Sequence, residues 1–264
     1  MESKNDNVKS LYDALIKKYE QVSGNKFDPQ ENRDFDIRKE RAREARLAAQ
    51  EIRQEQARHK QQAIDDLHSS GLVDARYTFD TIKTDEHNKD AVDSSRLFCL
   101  TALENPEEVP LLFIQGAEGS GKTVLCNAIA NLWAEKCNSS VLIASFEEIR
   151  KTRLFTAGEE RSESAGRDET WDMYCTKNLL IIDGFLKSRE GLSIFDQQLF
   201  GQLLRKRHEN RLPTVITTPV SFNSLHQCVG DFCFESFREY NVMAKSLYGG
   251  SRRKAFTVNG RVIT

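Results

Sequence analysis

The sequence predicts an α/β protein with a mainly parallel sheet, preceded by a helical N-terminal region. Four apolar runs of strand length alternate with segments of helical character, which is the order of elements typical of a parallel sheet. The runs are residues 111–115, 141–145, 179–183 and 214–218. A glycine-rich loop lies between the first run and the helix-like segment after it, as in proteins that bind phosphate groups.

That loop is the strongest functional signal in the sequence. It reads Gly-Ala-Glu-Gly-Ser-Gly-Lys-Thr over residues 116–123 and fits the phosphate-loop pattern G-x-x-x-x-G-K-[ST]. In such a loop backbone N–H groups surround a polyphosphate, the lysine reaches the β and γ phosphates, and the threonine holds Mg²⁺. The sequence therefore predicts that ATP and Mg²⁺ bind here. The predicted contacts are Gly116, Glu118, Gly119, Ser120, Gly121, Lys122, Thr123 and Val124.

A carboxylate for the same Mg²⁺ ion is predicted at Asp183. This residue follows four apolar residues, 179–182, at the carboxyl end of the third run. Ligands bind at this edge of an open parallel sheet, so Asp183 is expected beside the phosphate loop. Thr123 and Asp183 are thus the predicted metal-binding pair.

The segments between the strands divide into helices and one loop. Helices are predicted at residues 122–136, 146–155 and 194–210. Residues 156–170 show no apolar pattern, and a mobile surface loop is expected there. The cations at residues 205–211 are interpreted as the solvated end of the last helix, with DNA phosphates as the alternative partner.

The N-terminal region is predicted to be helical and charged. Residues 11–19 carry apolar side chains at helical spacing, and residues 37–67 contain strong helix formers without glycine or proline. Between Arg38 and Lys60 there are eight lysines and arginines but only four glutamates. Such a helix is either solvated, or an arm that docks on another protein or follows a phosphate backbone.

The bulk composition limits the classes of partner. The net charge is −2 over 264 residues, so any contact with nucleic acid must be a local patch. No apolar run reaches the roughly 18 residues that a membrane span needs, and the six cysteines form no C-x-x-C pair. We expect a cytoplasmic protein without a membrane partner. Residues 1–70 are expected to form a partner-binding region, and residues 71–264 an ATP-binding domain.

Two parts of the chain resemble a known family. The run at residues 179–183 and the segment from Arg205 to Phe222 resemble the AAA+ core of bacterial replicative helicase loaders of the DnaC/DnaI type. The segment contains the pattern Arg-x-Pro-Thr-x-Ile-Thr-Thr. The related IstB-type transposition helpers share this core, and the resemblance extends over about residues 70–255.

The resemblance implies an AAA+ ATPase core with a reduced or absent lid that associates with copies of itself. It also implies an N-terminal region that binds the replicative helicase hexamer, and a core that binds single-stranded DNA. The ATP state would then control helicase delivery in replication initiation, for a chain of either cellular or phage origin. At residue level it adds Thr218 and Arg253 to the nucleotide contacts and Arg238 as an inter-subunit candidate.

Three positions depart from the loader pattern. Gly184 replaces the glutamate that orients the attacking water, Pro219 replaces an asparagine that senses the γ phosphate, and Ser236 replaces an arginine that reaches the neighbouring subunit. The sequence therefore predicts ATP binding with weak hydrolysis, and no catalytic residue is assigned. Glu190 or Asp196 is the alternative candidate for an unusual base.

Two other functions stay open at the level of sequence. An IstB-like transposition helper ATPase shares the loader pattern and needs a transposase partner. A P-loop small-molecule kinase is favoured by the pair Asp183-Gly184 in place of Asp-Glu. The charged N-terminal arm and the pair Thr217-Thr218 disfavour the kinase.

Overall fold

The computed structural model describes residues 3–69, 73–137, 140–154, 161–186, 190–253, 256–258 and 261–263. The chain divides into two compact units, Met1–Ala57 and Arg58–Thr264. The helices are α1 (Ser3–Ser23), α2 (Pro29–Ser69), α3 (Lys89–Glu104), α4 (Lys122–Cys137), α5 (Phe146–Lys151), α6 (Arg161–Thr176), α7 (Ile194–Glu209) and α8 (Phe222–Arg238), with a 3-10 turn at Pro106–Glu108. The strands are β1 (Pro110–Gly116), β2 (Val141–Ala144), β3 (Leu179–Ile182), β4 (Thr214–Thr218), β5 (Asn241–Leu247), β6 (Phe256–Val258) and β7 (Arg261–Ile263).

The first unit contains α1 and the first part of α2. α1 ends before Gly24, which adopts a left-handed backbone with φ +69° and donates its N–H to the Glu20 carbonyl at 3.0 Å. Beyond this turn the Phe27 ring packs edge-on against Tyr19, with 5.5 Å between ring centroids. Both N-terminal helices predicted from the sequence are confirmed, and each is longer than predicted.

A five-stranded sheet forms the centre of the second unit. All its strands are parallel, in the order β2-β3-β4-β1-β5, which confirms the predicted α/β fold. β1 is buried on both faces because neighbouring residues of a strand point to opposite sides. Leu111 and Phe113 join the apolar cluster that holds α7 and α8, while Leu112 and Ile114 join the cluster that holds α3 and α4. Helices on both faces leave the carboxyl edge of the sheet open for a site.

The surface loop predicted at residues 156–170 is wrong in its second part, because residues 161–176 form α6. Residues 156–160 lie outside the described residues. Trp171 and Tyr174 are buried in the core, and the Arg153 guanidinium lies 4.7 Å from the centre of the Trp171 ring. Packing of the last turns against the core therefore fixes a helix whose first half has no apolar pattern of its own.

The predicted solvated end of α7 is wrong at Arg207, whose side chain is fully buried. Its guanidinium donates to the carbonyl oxygens of Tyr174 (2.8 Å), Lys177 (2.9 Å) and Pro213 (2.6 Å), and to Thr214 Oγ1 (3.0 Å). Burial lowers the pKa of Arg207 to about 10. This one side chain joins the end of α6 to α7 and β4.

Three of the strands, β5, β6 and β7, were not predicted from the sequence. β5 pairs with β1 along its whole length, from Asn241 opposite Pro110 to Leu247 opposite Gly116. Its sequence, Asn-Val-Met-Ala-Lys-Ser-Leu, alternates too weakly to predict a strand. β6 and β7 then form a separate antiparallel pair.

Two further features bear on the expectations from composition. Within the residue ranges that the structure describes, no helix combines the length and apolar character needed to cross a bilayer. The side chains of Cys99, Cys126, Cys175, Cys228 and Cys233 are buried.

Candidate nucleotide-binding site

The phosphate loop lies at the carboxyl end of the sheet, between β1 and α4. Gly119 and Gly121 have φ values of +78° and +104°, in a region that residues with a Cβ rarely adopt. A Cβ at Gly119 would also lie 2.3 Å from Ser251 Oγ and 2.9 Å from Ser251 Cβ. Both the loop backbone and the close approach of Ser251 therefore require glycine at position 119.

Lys122 is the first residue of α4, and its ammonium group folds back over the loop. Nζ donates hydrogen bonds to the carbonyl oxygens of Gly116 (2.6 Å) and Ala117 (2.9 Å). Burial lowers the pKa of Lys122, and the neighbouring carboxylates of Asp183 and Glu118 act in the opposite direction. A half-buried cation at this place can form charge-assisted hydrogen bonds with a phosphate group on the loop.

Asp183 lies directly after β3 and accepts hydrogen bonds on both carboxylate oxygens. Thr123 Oγ1 donates to Oδ2 at 2.7 Å, which joins α4 to the end of β3. Thr217 Oγ1 donates to Oδ1 at 2.5 Å, and Cys126 Sγ lies 3.8 Å from the same oxygen. The two residues predicted to hold Mg²⁺ are therefore in direct contact.

Thr217 is a residue of this site that the sequence pattern does not identify. Its hydroxyl also accepts a hydrogen bond from the Gly184 N–H at 2.9 Å. β3 and β4 are parallel with Ile182 opposite Ile216, so the next residue of each strand, Asp183 and Thr217, also meet. Thr217 is identified as a site residue by the register between β3 and β4, which the sequence alone does not supply.

A cavity of about 850 Å³ opens over the phosphate loop. Of the eleven residues predicted to contact nucleotide, nine line this cavity. They are Glu118, Gly119, Ser120, Gly121, Lys122, Thr123, Val124, Asp183 and Arg253. Gly116 instead contributes its carbonyl oxygen to Lys122. The lining also includes Tyr77, Ile82 and Val92, so the cavity offers both polar and apolar surface, as a nucleotide requires.

Thr218 lies just outside the cavity lining. It is fully buried, and its Oγ1 accepts a hydrogen bond from the Val220 N–H at 3.1 Å. Pro219, the next residue, does line the cavity. Gly184 lines it as well and has φ +78°, so a glutamate at this position would be strained even though no atom lies within 4 Å of its Cβ position.

Ser236 and Arg238, the two positions on α8 considered for contact with a neighbouring subunit, do not line the cavity. Ser236 is buried, and its Oγ donates to the Phe232 carbonyl at 3.2 Å within the helix. Arg238 is exposed at the end of α8 and pairs with Glu235 at 3.0 Å. Arg238 is therefore accessible from outside the chain.

Glu190 and Asp196, the alternative candidates for a catalytic base, line a second, smaller cavity of about 240 Å³ next to Gly184. Asp196 is held there by an ion pair with Arg150 Nε at 2.7 Å, and it also accepts a hydrogen bond from Ser193 Oγ at 2.7 Å. Glu190 lines the same cavity. The carboxylate of Asp196 is therefore occupied by Arg150 and Ser193.

Residues 249–253 cross the phosphate loop from the end of β5. The Arg252 N–H donates to the Gly119 carbonyl at 2.9 Å, and Arg252 Nη2 donates to Asp85 Oδ1 at 2.8 Å. The Arg252 guanidinium lowers the pKa of Asp85. This crossing segment brings Arg252 and Arg253 into the wall of the cavity.

The sequence was compared with models of known protein families. Residues 110–244, just over half of the chain, match the NACHT domain. The chain belongs to the NACHT-domain family. The matched range begins at β1 and ends within β5, so the NACHT domain includes the phosphate loop and Asp183. Among curated proteins no match to the sequence was found.

Solved structures share the fold of this NACHT domain. The DnaC helicase loader has a TM-score of 0.53 at 21% identity, covering 66% of this chain and 98% of that chain. DnaI has a TM-score of 0.51 at 22% identity, covering 67% and 91%. AMPPCP-bound DnaA from Aquifex aeolicus has a TM-score of 0.52 at 21% identity, covering 67% of this chain but only 51% of the DnaA chain. The likeness confirms the predicted AAA+ P-loop fold and its resemblance to the loaders.

Proposed function

We propose that the chain binds ATP with Mg²⁺ in the cavity over the phosphate loop and acts in the cytoplasm as a loader-like partner of a replicative DNA helicase. The observation that supports this most is that Lys122, Thr123 and Asp183 line the same cavity. Thr123 Oγ1 lies 2.7 Å from the Asp183 carboxylate, beside the ammonium group on the loop. An ammonium, a hydroxyl and a carboxylate are the groups that a magnesium-bound triphosphate requires.

Each group has a separate task in binding. Thr123 and Asp183 offer hydroxyl and carboxylate oxygens, which are the hard ligands that Mg²⁺ prefers. The bound ion would neutralise charge on the β and γ phosphates. Lys122 and the backbone N–H groups of the loop would bind the phosphates themselves, and Arg253, which also lines the cavity, would add a further cation.

The same site supports hydrolysis poorly. Gly184 brings no carboxylate to the cavity, and Pro219 brings neither an amide nor an N–H group. Ser236 is buried inside α8, and a missing trans arginine alone can lower the rate by about 10³-fold. We infer that bound ATP acts mainly as a ligand that stabilises one conformation or assembly of the protein.

The proposed partners come from the likeness in fold to DnaC and DnaI. Residues 1–70 would bind the replicative helicase hexamer, and residues 71–264 would bind single-stranded DNA and further copies of the chain. Arg238 is exposed and would lie at the contact between copies. The replication initiator DnaA, in its structure with AMPPCP and single-stranded DNA, has the same core fold, with a TM-score of 0.50 at 21% identity.

A capture experiment tests the partner. The full chain, a chain without residues 1–67 and a Lys122→Ala chain would each be immobilised and exposed to a bacterial lysate. We expect the full chain to capture the replicative helicase, and the shortened chain to lose capture while it still binds ATP. Recovery of a transposase instead would support the transposition helper, and capture unaffected by the deletion would reject the role of the N-terminal region.

A steady-state phosphate-release assay tests the weak hydrolysis. Helicase and single-stranded DNA would be present, so that a stimulated rate is not missed. We expect turnover well below about 1 s⁻¹, which is the lower end of the ordinary enzyme range. A faster rate would contradict the proposal of ATP as a ligand, and phosphate transfer to an added nucleoside or nucleotide would support the kinase alternative.

A further inference from the structure

The charges on α2 are sorted onto separate sides of the helix. Lys39, Arg43, Arg46 and Arg53 fall within about 80° of the helix circumference at about 100° per residue. These four residues are called the basic stripe, and all are exposed. The four glutamates in the same stretch, residues 40, 44, 51 and 55, fall within about 60° on a different side. α2 therefore has one strongly cationic surface although the whole chain has a net charge of −2.

The basic stripe extends along the axis of α2, and its three arginines are the cations considered for binding. From Lys39 to Arg53 it extends about 21 Å along the helix at about 1.5 Å per residue. Gln50 is the one other side chain centred on this surface, and it is uncharged. Within the part of the chain that the structure describes, Arg43, Arg46 and Arg53 make no ion pair. Their guanidinium groups are therefore available to an external anion.

The chemistry of the basic stripe argues against a protein partner on this side of α2, so the helicase contact proposed for residues 1–70 would use other surfaces of that region. Protein interfaces take most of their affinity from aromatic and apolar anchors that become buried. The basic stripe has none, and residues 37–67 contain no Phe, Tyr or Trp. Binding to a nucleic acid backbone needs only cations that replace condensed counterions, and arginine binds phosphate oxygens through two N–H groups.

The absence of aromatic residues also favours duplex over single-stranded nucleic acid as the ligand. Proteins that bind single strands stack bases on aromatic side chains, which the basic stripe lacks. Duplex DNA presents a rigid array with one charge per about 1.7 Å of helix axis, which a straight row of cations can follow. We propose that the basic stripe of α2 binds the phosphate backbone of duplex DNA, independently of the nucleotide site.

Binding to phosphates makes the affinity for DNA depend on the salt concentration. Three phosphate contacts, one for each arginine of the basic stripe, would make the logarithm of the binding constant fall with the logarithm of salt with a slope of about −2.7, at about −0.9 per contact. The binding would be weak and independent of sequence, because backbone contacts carry no base information.

A pair of matched variants tests the basic stripe. Arg46→Gln/Arg53→Gln removes two cations from it, and Arg41→Gln/Arg58→Gln removes two from other sides of the same helix. Glutamine keeps a helix propensity similar to that of arginine, and circular dichroism would verify equal helicity. Fluorescence anisotropy with a labelled 20-base-pair duplex would be measured for the full chain at about 50 mM salt, where phosphate contacts still dominate.

The expected result is a loss of about tenfold or more in affinity for Arg46→Gln/Arg53→Gln, with a salt slope smaller by about 1.8. The control should change much less. Equal losses for both variants, or no loss in either, would overturn the proposal. Tighter binding of a single strand of the same sequence would overturn the choice of duplex DNA, and equal competition by polyglutamate would overturn the choice of nucleic acid.

Discussion

The hydroxyl of Thr217 donates a hydrogen bond to Asp183 Oδ1 at 2.5 Å, while Thr123 donates to the other oxygen of the same carboxylate. β4 thus holds the carboxylate at the end of β3 in one orientation. Because Thr217 Oγ1 also accepts the Gly184 N–H, its position is fixed from two directions. The orientation of the proposed Mg²⁺ ligand therefore depends on a residue outside the phosphate loop.

Replacing Thr217 with valine should weaken the magnesium-dependent part of ATP binding several-fold. The shape is kept but the hydrogen bond to Asp183 is lost, at a cost in stability of about 1 kcal/mol. Thr218→Val is the matched control, because its hydroxyl bonds the Val220 N–H and not Asp183. Titration of ATP with and without Mg²⁺ would check this, and the same magnesium dependence in both variants would contradict the role of Thr217.

Gly119→Ala should disturb the site more than Gly184→Ala. Both glycines have φ +78°, so alanine costs about 1–2 kcal/mol of backbone strain at each. Only at Gly119 would the new Cβ also meet Ser251, at 2.3 Å from Oγ. Thermal unfolding and ATP titration would compare the two, and adding Ser251→Gly should recover part of the loss in Gly119→Ala alone.

Arg207→Met should destabilise the second unit by about 3 kcal/mol or more. The buried carbonyl oxygens of Tyr174, Lys177 and Pro213 would each lose the hydrogen bond from Arg207, and a buried group without a partner costs about 1–3 kcal/mol. Arg205→Met is the control, because Arg205 is partly exposed and lies over the Phe232 ring. Denaturant unfolding would check the difference, and equal losses would contradict the structural role of Arg207.

Asp85→Asn should loosen the segment that crosses the phosphate loop. Arg252 lowers the native pKa of Asp85, so the stabilising effect is present above the unfolded value near 3.8 and is lost as the pH falls below it. At neutral pH the variant should be cut faster by trypsin after Arg252 than the unaltered chain. Asp90→Asn, which removes the partner of Lys245 instead, should not change that rate.

The sequence predicts those parts of the molecule that depend on local pattern. The phosphate loop, the first four strands and the N-terminal helices follow from residue type and spacing within a short segment. α6 and Arg207 were mispredicted because burial by residues elsewhere in the fold decides them: Trp171 is held by the core, and Arg207 is held by the carbonyls of Tyr174 and Lys177, about 30 residues away along the chain. Thr217 likewise becomes a site residue only through the register between β3 and β4.

The most direct test of nucleotide binding concerns Lys122. A fluorescent ATP analogue would be titrated against the unaltered chain, Lys122→Ala, and Lys136→Ala as a control at the other end of α4. Loss of one charged hydrogen-bonding partner should weaken binding by about 10-fold to 100-fold in Lys122→Ala and leave Lys136→Ala unchanged. No binding by the unaltered chain, or equal affinity in all three proteins, would contradict a nucleotide site on this loop.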